Sequence, residues 1–323
     1  MAKKVTMQDI ADKLNVSKMT ISKCFKNTSD VSEEMKQKVL HVAQELGYTY
    51  KKLEQYKVVV LLSEQFLSKE EMFYNTVYNR LNENANVKNI HLSLVSVKKE
   101  DEATLRIRFD ISNYHAVIIL GELELEYIKK VKAFNKPMIC VDFYYDELKL
   151  DSIFSNNYHA GFIAVNYLID KGHKDIGFIG NIHATMSIMD RYMGFAKSMK
   201  MHHLNINDSW VISDRKAHDA KIEFELPEDL PTAFLCNNDH VAYLVVEKLK
   251  AKGIRVPEDV SVIGFDDVLY SRLSSPKITT MKISRKQMAD QAIKLLIRRI
   301  KNPQISMSQV MMECLLIERE SVK

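Results

Sequence analysis

The 323-residue chain is poor in glycine, with nine, and holds only four cysteines and one tryptophan. No two glycines are spaced G-x-G and no GxxxxGK stretch occurs. The phosphate-cradling loops of nucleotide-binding enzymes are therefore absent. G-x-S-x-G and HExxH are missing too, which removes the nucleophile elbow and the zinc-protease helix. Cys24, Cys140, Cys236 and Cys314 lie far apart and form no CxxC, so neither a disulfide framework nor a cysteine-based zinc site is expected. His202-His203 has no metal-like partner spacing. No apolar run approaches the ~18–20 residues that span a bilayer. Met1 to Gln8 carries no signal-peptide pattern. These absences lead us to expect a cytoplasmic protein that is not an enzyme and carries no cofactor or metal.

Apolar residues make up 46% of the chain, ample for packed cores, and the length suits two domains, or three small ones. Charge is unevenly placed. Residues 1–57 hold eleven lysines against seven acids, while the remaining 35 basic and 35 acidic residues cancel. The whole formal excess of +4 thus sits in the first sixth of the chain, and a basic head on a neutral body suits a polyanionic partner.

The head reads as three short helices. Thr6 can cap a helix that starts at Met7, with Asp9 placed to complete a capping box; Ile10, Ala11 and Leu14 follow at helical spacing. Asn15 and Val16 interrupt the pattern. Ser17 can cap a second helix from Lys18 to Phe25, and Ser32 a third over 33–46 with Val39, Val42, Ala43 and Leu46 on one face. Gly47 falls where a helix end wants a left-handed residue. Two helices joined by so tight a turn make a helix-turn-helix, whose second helix enters the DNA major groove. Its exposed positions are Lys18, Met19, Thr20, Ser22 and Lys23. Lysine can donate to guanine, and Met19 can touch a thymine methyl. Lys3, Lys4, Lys26, Ser17 and Ser22 suit phosphates. With Thr6 at the first helix start, the candidate DNA-binding set is Thr6, Ser17, Lys18, Met19, Thr20, Ser22, Lys23 and Lys26. On periodicity alone, a three-helix bundle with solvated lysines explains the head equally well.

The stretches VTMQDIADKLNVSKMTISKCFKN and VSEEMKQKVLHVAQELGY resemble the DNA-binding head of the lactose-repressor/galactose-repressor (LacI/GalR) family of bacterial regulators. The family pattern is met at Thr6, Asp9, Ile10, Ala11, Val16, Ser17, Thr20, Ile21, Ser22, Val31, Lys36, Val39, Leu46, Gly47 and Tyr48. By this resemblance Lys18, Met19 and Lys23 occupy base-reading positions. The last is usually arginine, and lysine there keeps the charge but loses the bidentate fork. The Pro-Asn that usually follows Gly-Tyr is missing, and the linker to the body is shorter than usual. Leu53 is the only leucine placed to act as a minor-groove wedge, so operator bending is expected to be weak. Lys51, Lys52 and Lys57 can touch phosphates or simply solvate the linker.

Beyond residue 57, apolar strands (58–62, 91–97, 116–120, 137–141, 175–179, 233–236, 260–264) alternate with helices (73–84, 158–171, 190–199, 238–252, 284–300). That alternation argues for parallel sheets covered on both faces, in two cores. VDF (141–143), NNYHAGFIAVNYLIDKGHKDIGFIG (156–180), DRYMGF (190–195), FLCNNDHVA (234–242), VPEDVSVIGFDD (256–267) and ITTMKIS (278–284) resemble the family's body, which has the periplasmic-binding-protein fold. The resemblance implies a head and short linker over 1–57. The body, 58–323, is then two doubly wound α/β lobes: 58–155 with 284–302, and 156–283 with 303–323. The chain would cross between them near 155, 283 and 303.

Open α/β sheets bind ligands beyond the carboxyl ends of their strands. That points to Ser63, Glu64, Gly121, Glu122, Asp142, Asn237, Asn238 and Asp266, acids and amides suited to a hydroxyl-rich ligand. The resemblance carries effector contact onto Asp142, Arg191, Asn238 and Asp266. Arg191 is a fork donor, although an ion pair with Asp190 or another acid also accounts for it. Of Asp266 and Asp267, one is expected to bind and the other to cap. Phe66, Phe73 or Trp210 could stack on a sugar ring, and core packing explains each as well; Phe73 joins the effector set. The methionines at 186–201 and 307–312 suit flexible core filling.

The expected function is a sequence-specific DNA-binding regulator, a repressor, controlled by a sugar-like effector in the cleft. By resemblance it is a homodimer on a pseudopalindromic operator, with the helix at 73–81 a candidate dimer contact, although core burial explains its apolar positions equally well. The alternative is a solute-binding protein or sensor with no DNA output. An enzyme using Asp142 and Asp266 as an acid/base pair lacks a nucleophile or cofactor motif.

Overall fold

In the computed structural model, which describes residues 5–25, 28, 30–48, 55–67, 72–215 and 221–323, the Thr6 capping box forms. The Thr6 backbone N–H donates to Asp9 Oδ2 at 2.7 Å, and the Asp9 N–H donates back to Thr6 Oγ1 at 3.4 Å. This starts α1 (Met7–Leu14), which ends at Asn15 in the left-handed region, φ +52°, a conformation asparagine tolerates. Helices α2 (Lys18–Phe25) and α3 (Glu33–Glu45) follow, α3 capped by Ser32, whose Oγ accepts the Met35 N–H at 3.3 Å. Ile10, Ala11, Ile21 and Val39 are fully buried between the three helices. Lys13 Nζ meets Glu45 at 2.8 Å, joining α1 to α3. The head is one compact unit and Tyr56–Lys323 a second.

The second unit runs β1 (Tyr56–Ser63), α4 (Met72–Val87), β2 (Ile90–Val97), α5 (Lys99–Ala103), β3 (Ala116–Leu120), α6 (Leu125–Lys132), β4 (Met138–Val141) and β5 (Asp151–Ser155). It continues through α7 (Asn157–Asp170), β6 (Ile176–Ile179), α8 (Met186–Met201), β7 (Val211–Ile212), β8 (Ala233–Cys236), α9 (Asp239–Ala251), β9 (Ser261–Asp266), α10 (Tyr270–Leu273) and β10 (Thr279–Lys282). It closes with α11 (Arg285–Lys301), β11 (Gln309–Met312) and β12 (Leu315–Ile317).

Two six-stranded sheets result, ordered β11-β5-β4-β3-β1-β2 and β12-β10-β9-β8-β6-β7. All pairings are parallel except β10 with β12, which is antiparallel with Thr280 opposite Ile317. Strands β1, β3 and β4 are buried throughout, apart from the first two residues of β1. Fully apolar strands of this kind follow from helices covering both faces.

Strands β5, β7, β10, β11 and β12 are absent from those expected. β5 is buried along its length although it begins Asp151-Ser152. The reason is long-range: Asp151 accepts Arg299 Nε at 2.6 Å and the Ser308 N–H at 2.7 Å. The same contacts correct the expected crossing near 303. Arg299 also donates to the carbonyls of Pro303, Ile305 and Ser306. The chain stays beside the first sheet, pairs β11 with β5, and enters the second sheet only after Met312.

Helices α7 and α8 cross at contact distance. A Cβ on Gly194 would stand 2.0 Å from the Tyr158 carbonyl oxygen, and one on Gly161 2.3 Å from that of Arg191. Only glycine fits at either point, and the crossing sets where Arg191 lies. Gly194→Ala should therefore cost about 1–3 kcal/mol by overpacking, seen as a lower urea midpoint; an unchanged midpoint would show that the helices part freely.

Phe73 requires a correction. It is buried in the first lobe's core, edge-on to Tyr74 with ring centroids 5.2 Å apart, because the apolar spacing of α4 packs it onto the sheet. Trp210 is likewise not a stacking platform in the cleft described below; its Nε1 donates to the Asp229 carbonyl at 2.9 Å.

Candidate DNA-binding helix and effector cleft

Ser17 and Thr20 act first on their own helix. Ser17 Oγ accepts the Thr20 N–H at 3.0 Å, and the two hydroxyls lie 2.9 Å apart, so both oxygens are engaged in starting α2. Thr6 is similarly engaged, its hydroxyl donating to Asp9 at 2.7 Å. Lys18 is exposed and Met19 is 69% exposed, the arrangement a base-reading turn requires. Ser22 is half-buried. Lys23 is anchored, with Nζ 2.5 Å from Asp30 Oδ2. That ammonium, with the Thr28 hydroxyl, holds the Asp30 carboxyl down at about 2. Such an exposed pair is weak, so a phosphate or guanine can compete for Lys23. Lys26, Lys3, Lys4, Lys51, Lys52 and Leu53 lie outside the described residues.

In the first sheet, strand order reverses between β1 and β3; in the second, between β6 and β8. Crevices open at the carboxyl ends of such strands. There a cleft of about 540 Å³ takes Ser63, Glu64 and Phe66 after β1, Glu122 and Leu123 after β3, Tyr144 and Tyr145 after β4, and His183 to Met186 after β6. Glu102 and Arg215 also line it. Across the cleft, the N–H of Met186, first residue of α8, donates to Glu122 Oε2 at 3.0 Å. Burial pushes up the carboxyls of Glu102 and Glu122. Tyr145 donates its hydroxyl to the Leu123 carbonyl.

A separate buried set gathers around Arg191. Its Nε donates to Asn157 Oδ1 at 2.9 Å, Nη1 to the Asn237 carbonyl, and Nη2 to Asp266 Oδ1 at 3.5 Å, while the guanidinium lies 3.8 Å from the Phe265 ring centroid. Burial pushes Asp266 up, against the pull of Arg191 and Arg285. Asp142, with φ +75°, accepts the Tyr74 hydroxyl at 2.9 Å. Burial raises the Cys314 thiol to about 12, and Arg191, Asp266 and Asp142 all act on it electrostatically. Nearby, Ser155 Oγ and Asn237 Oδ1 are buried with no hydrogen-bond partner, a costly arrangement unless something else satisfies them.

Two predicted roles shift. Asn238 Oδ1 caps α9 by accepting the Val241 N–H at 2.8 Å. Asp267 binds Arg272 at 3.0 Å and Arg319 at 2.5 Å, which leaves Asp266 as the member of that pair beside Arg191. Of the strand-end predictions, Ser63, Glu64 and Glu122 line the cleft; Gly121, Asp142, Asn237, Asn238 and Asp266 do not. Glu102 and Arg215 carry no motif and went unpredicted. Tyr144 and Tyr145 directly follow the VDF stretch, and the strand-end rule could have found them. Among the described residues, no cluster of histidine, cysteine or carboxylate is placed to hold a metal, and no helix is long and apolar enough to cross a membrane.

A helix-turn-helix head joined in one chain to a two-lobe α/β body with a cleft at its strand ends defines a DNA-binding regulator with a ligand-binding module. Comparison with known proteins agrees: residues 6–50 match the model of bacterial regulatory proteins of the lacI family, and residues 165–322 that of the periplasmic binding protein-like domain. The HTH-type transcriptional repressor PurR of Histophilus somni is 30% identical over 91% of this chain and 92% of its own. Among solved structures, a complex of the transcriptional regulator CelR with cellobiose superposes with TM-score 0.71 at 19% identity, over 98% of this chain and 99% of that one. The lac repressor dimer bound to operator and an anti-inducer gives 0.69 at 20% identity, over 99% of both. The chain belongs to the lacI family of bacterial regulatory proteins, and it is a transcriptional regulator rather than an enzyme.

Proposed function

We propose that this protein is a cytoplasmic repressor that binds a pseudopalindromic operator as a homodimer and whose affinity for it is set by a small effector in the cleft. The observation that carries this reading is the presence, in one chain, of a capped helix presenting Lys18 and Met19 and a body with a cleft between two lobes. The domains we assign are a head up to about residue 57, and two lobes exchanging chain near 155, 283 and 312. Lys18, Met19, Ser22 and Lys23 read or grip DNA, while Ser17, Thr20 and Thr6 hold the helices that present them. Arg191, Asp266 and Asp142, buried apart from the cleft's own lining, are the effector contacts that the family resemblance carries onto this chain.

The effector acts only through unequal affinity for two lobe arrangements. The hydrogen bond from Met186 to Glu122 across the cleft is a contact that lobe motion would make or break. A sugar or sugar derivative suits the polar cleft, and the relatives point the same way: one is named a ribose operon repressor, and a structural neighbour is a cellobiose complex.

Operator affinity should fall steeply with salt, measured by fluorescence anisotropy on a duplex selected by the protein from a random pool. If two heads together neutralise about six phosphates, the slope of log K against log salt is roughly −5. Binding indifferent to salt would sink the DNA-binding role.

A further inference from the structure

We propose that the effector carries a protonated amine: the cleft is built for a small organic cation rather than for a neutral sugar. This rests on the reading of the cleft as the effector site.

Six carboxylates line the cavity: Glu64, Glu102, Glu122, Glu124, Asp146 and Glu147. None of them forms an ion pair with any described residue. The basic side chains on the same wall are Lys99 and Arg215. Arg215 is already committed to Asp214, a fully buried carboxylate, with Nη2 at 2.7 Å and Nε at 3.1 Å from Oδ2. Lys99 acts on Glu102 from the exposed rim. Among the described residues the wall is therefore acidic by a clear margin.

The two deepest acids accept only uncharged donors. Glu102 takes the Glu124 N–H at 2.6 Å and the Ser63 hydroxyl at 3.5 Å. Glu122 takes the Met186 N–H at 3.0 Å. Burial raises both, and neighbouring carboxylates raise them further, Glu124 in each case and Asp190 for Glu122. Like charges held together in a part-buried cavity cost stability. A ligand that brings a positive charge recovers that cost, whereas a neutral sugar leaves it in place. Aromatic rings complete the match. Phe66, Tyr144 and Tyr145 lie among the acids, and ring faces attract ammonium groups. The volume of about 540 Å³ lies within the range of small-molecule sites.

Arg191 strengthens the case. A fork arginine facing the ligand would select an anion, but here all three of its donating nitrogens are turned to protein acceptors. Arg191 is not part of the cavity's lining and pairs with Asp266 at 3.5 Å, so the charge facing the ligand comes mainly from the carboxylates.

The test is calorimetry and thermal shift on the full-length protein with matched probes: glucosamine against glucose, galactosamine against galactose, and spermidine as a cation without a sugar ring. At least one amine probe should raise the melting temperature and bind at least tenfold tighter than its neutral partner. Response to the amino sugars alone, or to spermidine alone, identifies what carries the ammonium group. Glu122→Gln keeps the acceptor for the Met186 N–H and removes the charge. It should weaken amine binding at least tenfold while leaving the unliganded melting temperature equal or higher. Glu64→Gln, at the exposed rim, is the second variant and should weaken binding less.

Equal binding of glucose and glucosamine, or of galactose and galactosamine, overturns the charge assignment and leaves the effector-site reading standing. Failure of every amine probe in a protein that still binds its operator overturns it too. Amine binding unaffected by both variants also overturns it. If no probe of either kind alters operator binding, the effector-site reading itself is what fails.

Discussion

Replacing Ile21 by alanine should abolish practical DNA binding, lowering operator affinity by roughly 100-fold, although Ile21 faces away from the groove. Its side chain is fully buried against Ile10, Ala11, Val39 and Val42. Truncating a buried isoleucine to alanine costs about 2–5 kcal/mol. A single core in a scaffold this small supplies only about 3–5 kcal/mol in all, so the substitution consumes most of the stability available. Operator affinity scales with the fraction of folded heads, and two heads must be folded at once on a two-fold site. Lys18→Ala is the contrasting change. It removes an exposed contact, leaves the head folded, and weakens binding without unfolding. Near-wild-type anisotropy titrations for Ile21→Ala, with the head's helical circular dichroism intact, would refute the argument.

The largest effect on the body is expected from Asp151→Ala, at about 3–5 kcal/mol. Asp151 is almost completely buried, and its side chain pairs with Arg299, itself only 10% exposed in its side chain. Removing the carboxylate leaves a buried guanidinium without its counter-charge and strips the Ser308 N–H of its acceptor. The β11–β5 pairing that follows Ser308 should loosen with it. The urea midpoint should fall sharply and the transition broaden if the C-terminal strand frays first. A double replacement, Asp151→Leu with Arg299→Met, removes both charges and should recover much of the loss, because apolar pairs of similar volume often substitute for buried ion pairs. A double variant no more stable than the single one would mean that packing, not charge, dominates at this position.

Much of the head was legible in the chain itself. The Thr6–Asp9 box, the Ser17 and Ser32 caps and the apolar spacing of Ile10, Ile21 and Val39 act within a few residues, and each recurs in the structure where the spacing places it. In the body, the apolar runs that became β1, β3 and β8 are equally local signals. β5 and β11 were not legible. Their polar residues become strand-like only because Arg299 reaches Asp151 from 148 positions away. The same limit applies to the cleft. Glu64 and Glu122 stood at strand ends and could be named, whereas Glu102 lies within the short helix α5, which nothing in the local pattern aims at the cavity.

The sequence alone determined that this chain begins with a basic helix-turn-helix and continues as alternating strands and helices, since caps, turns and periodicity are set by neighbours along the chain. It also carried the family motifs. Tertiary structure alone decided that Arg191 is turned inward, that Lys23 is held by Asp30, that Phe73 belongs to the core, and that six carboxylates without ion-pair partners among the described residues share one cleft. The physical reason is distance. Charges far apart in sequence interact only once sheet register and helix packing bring them within a few ångströms, and no local pattern records where that convergence falls.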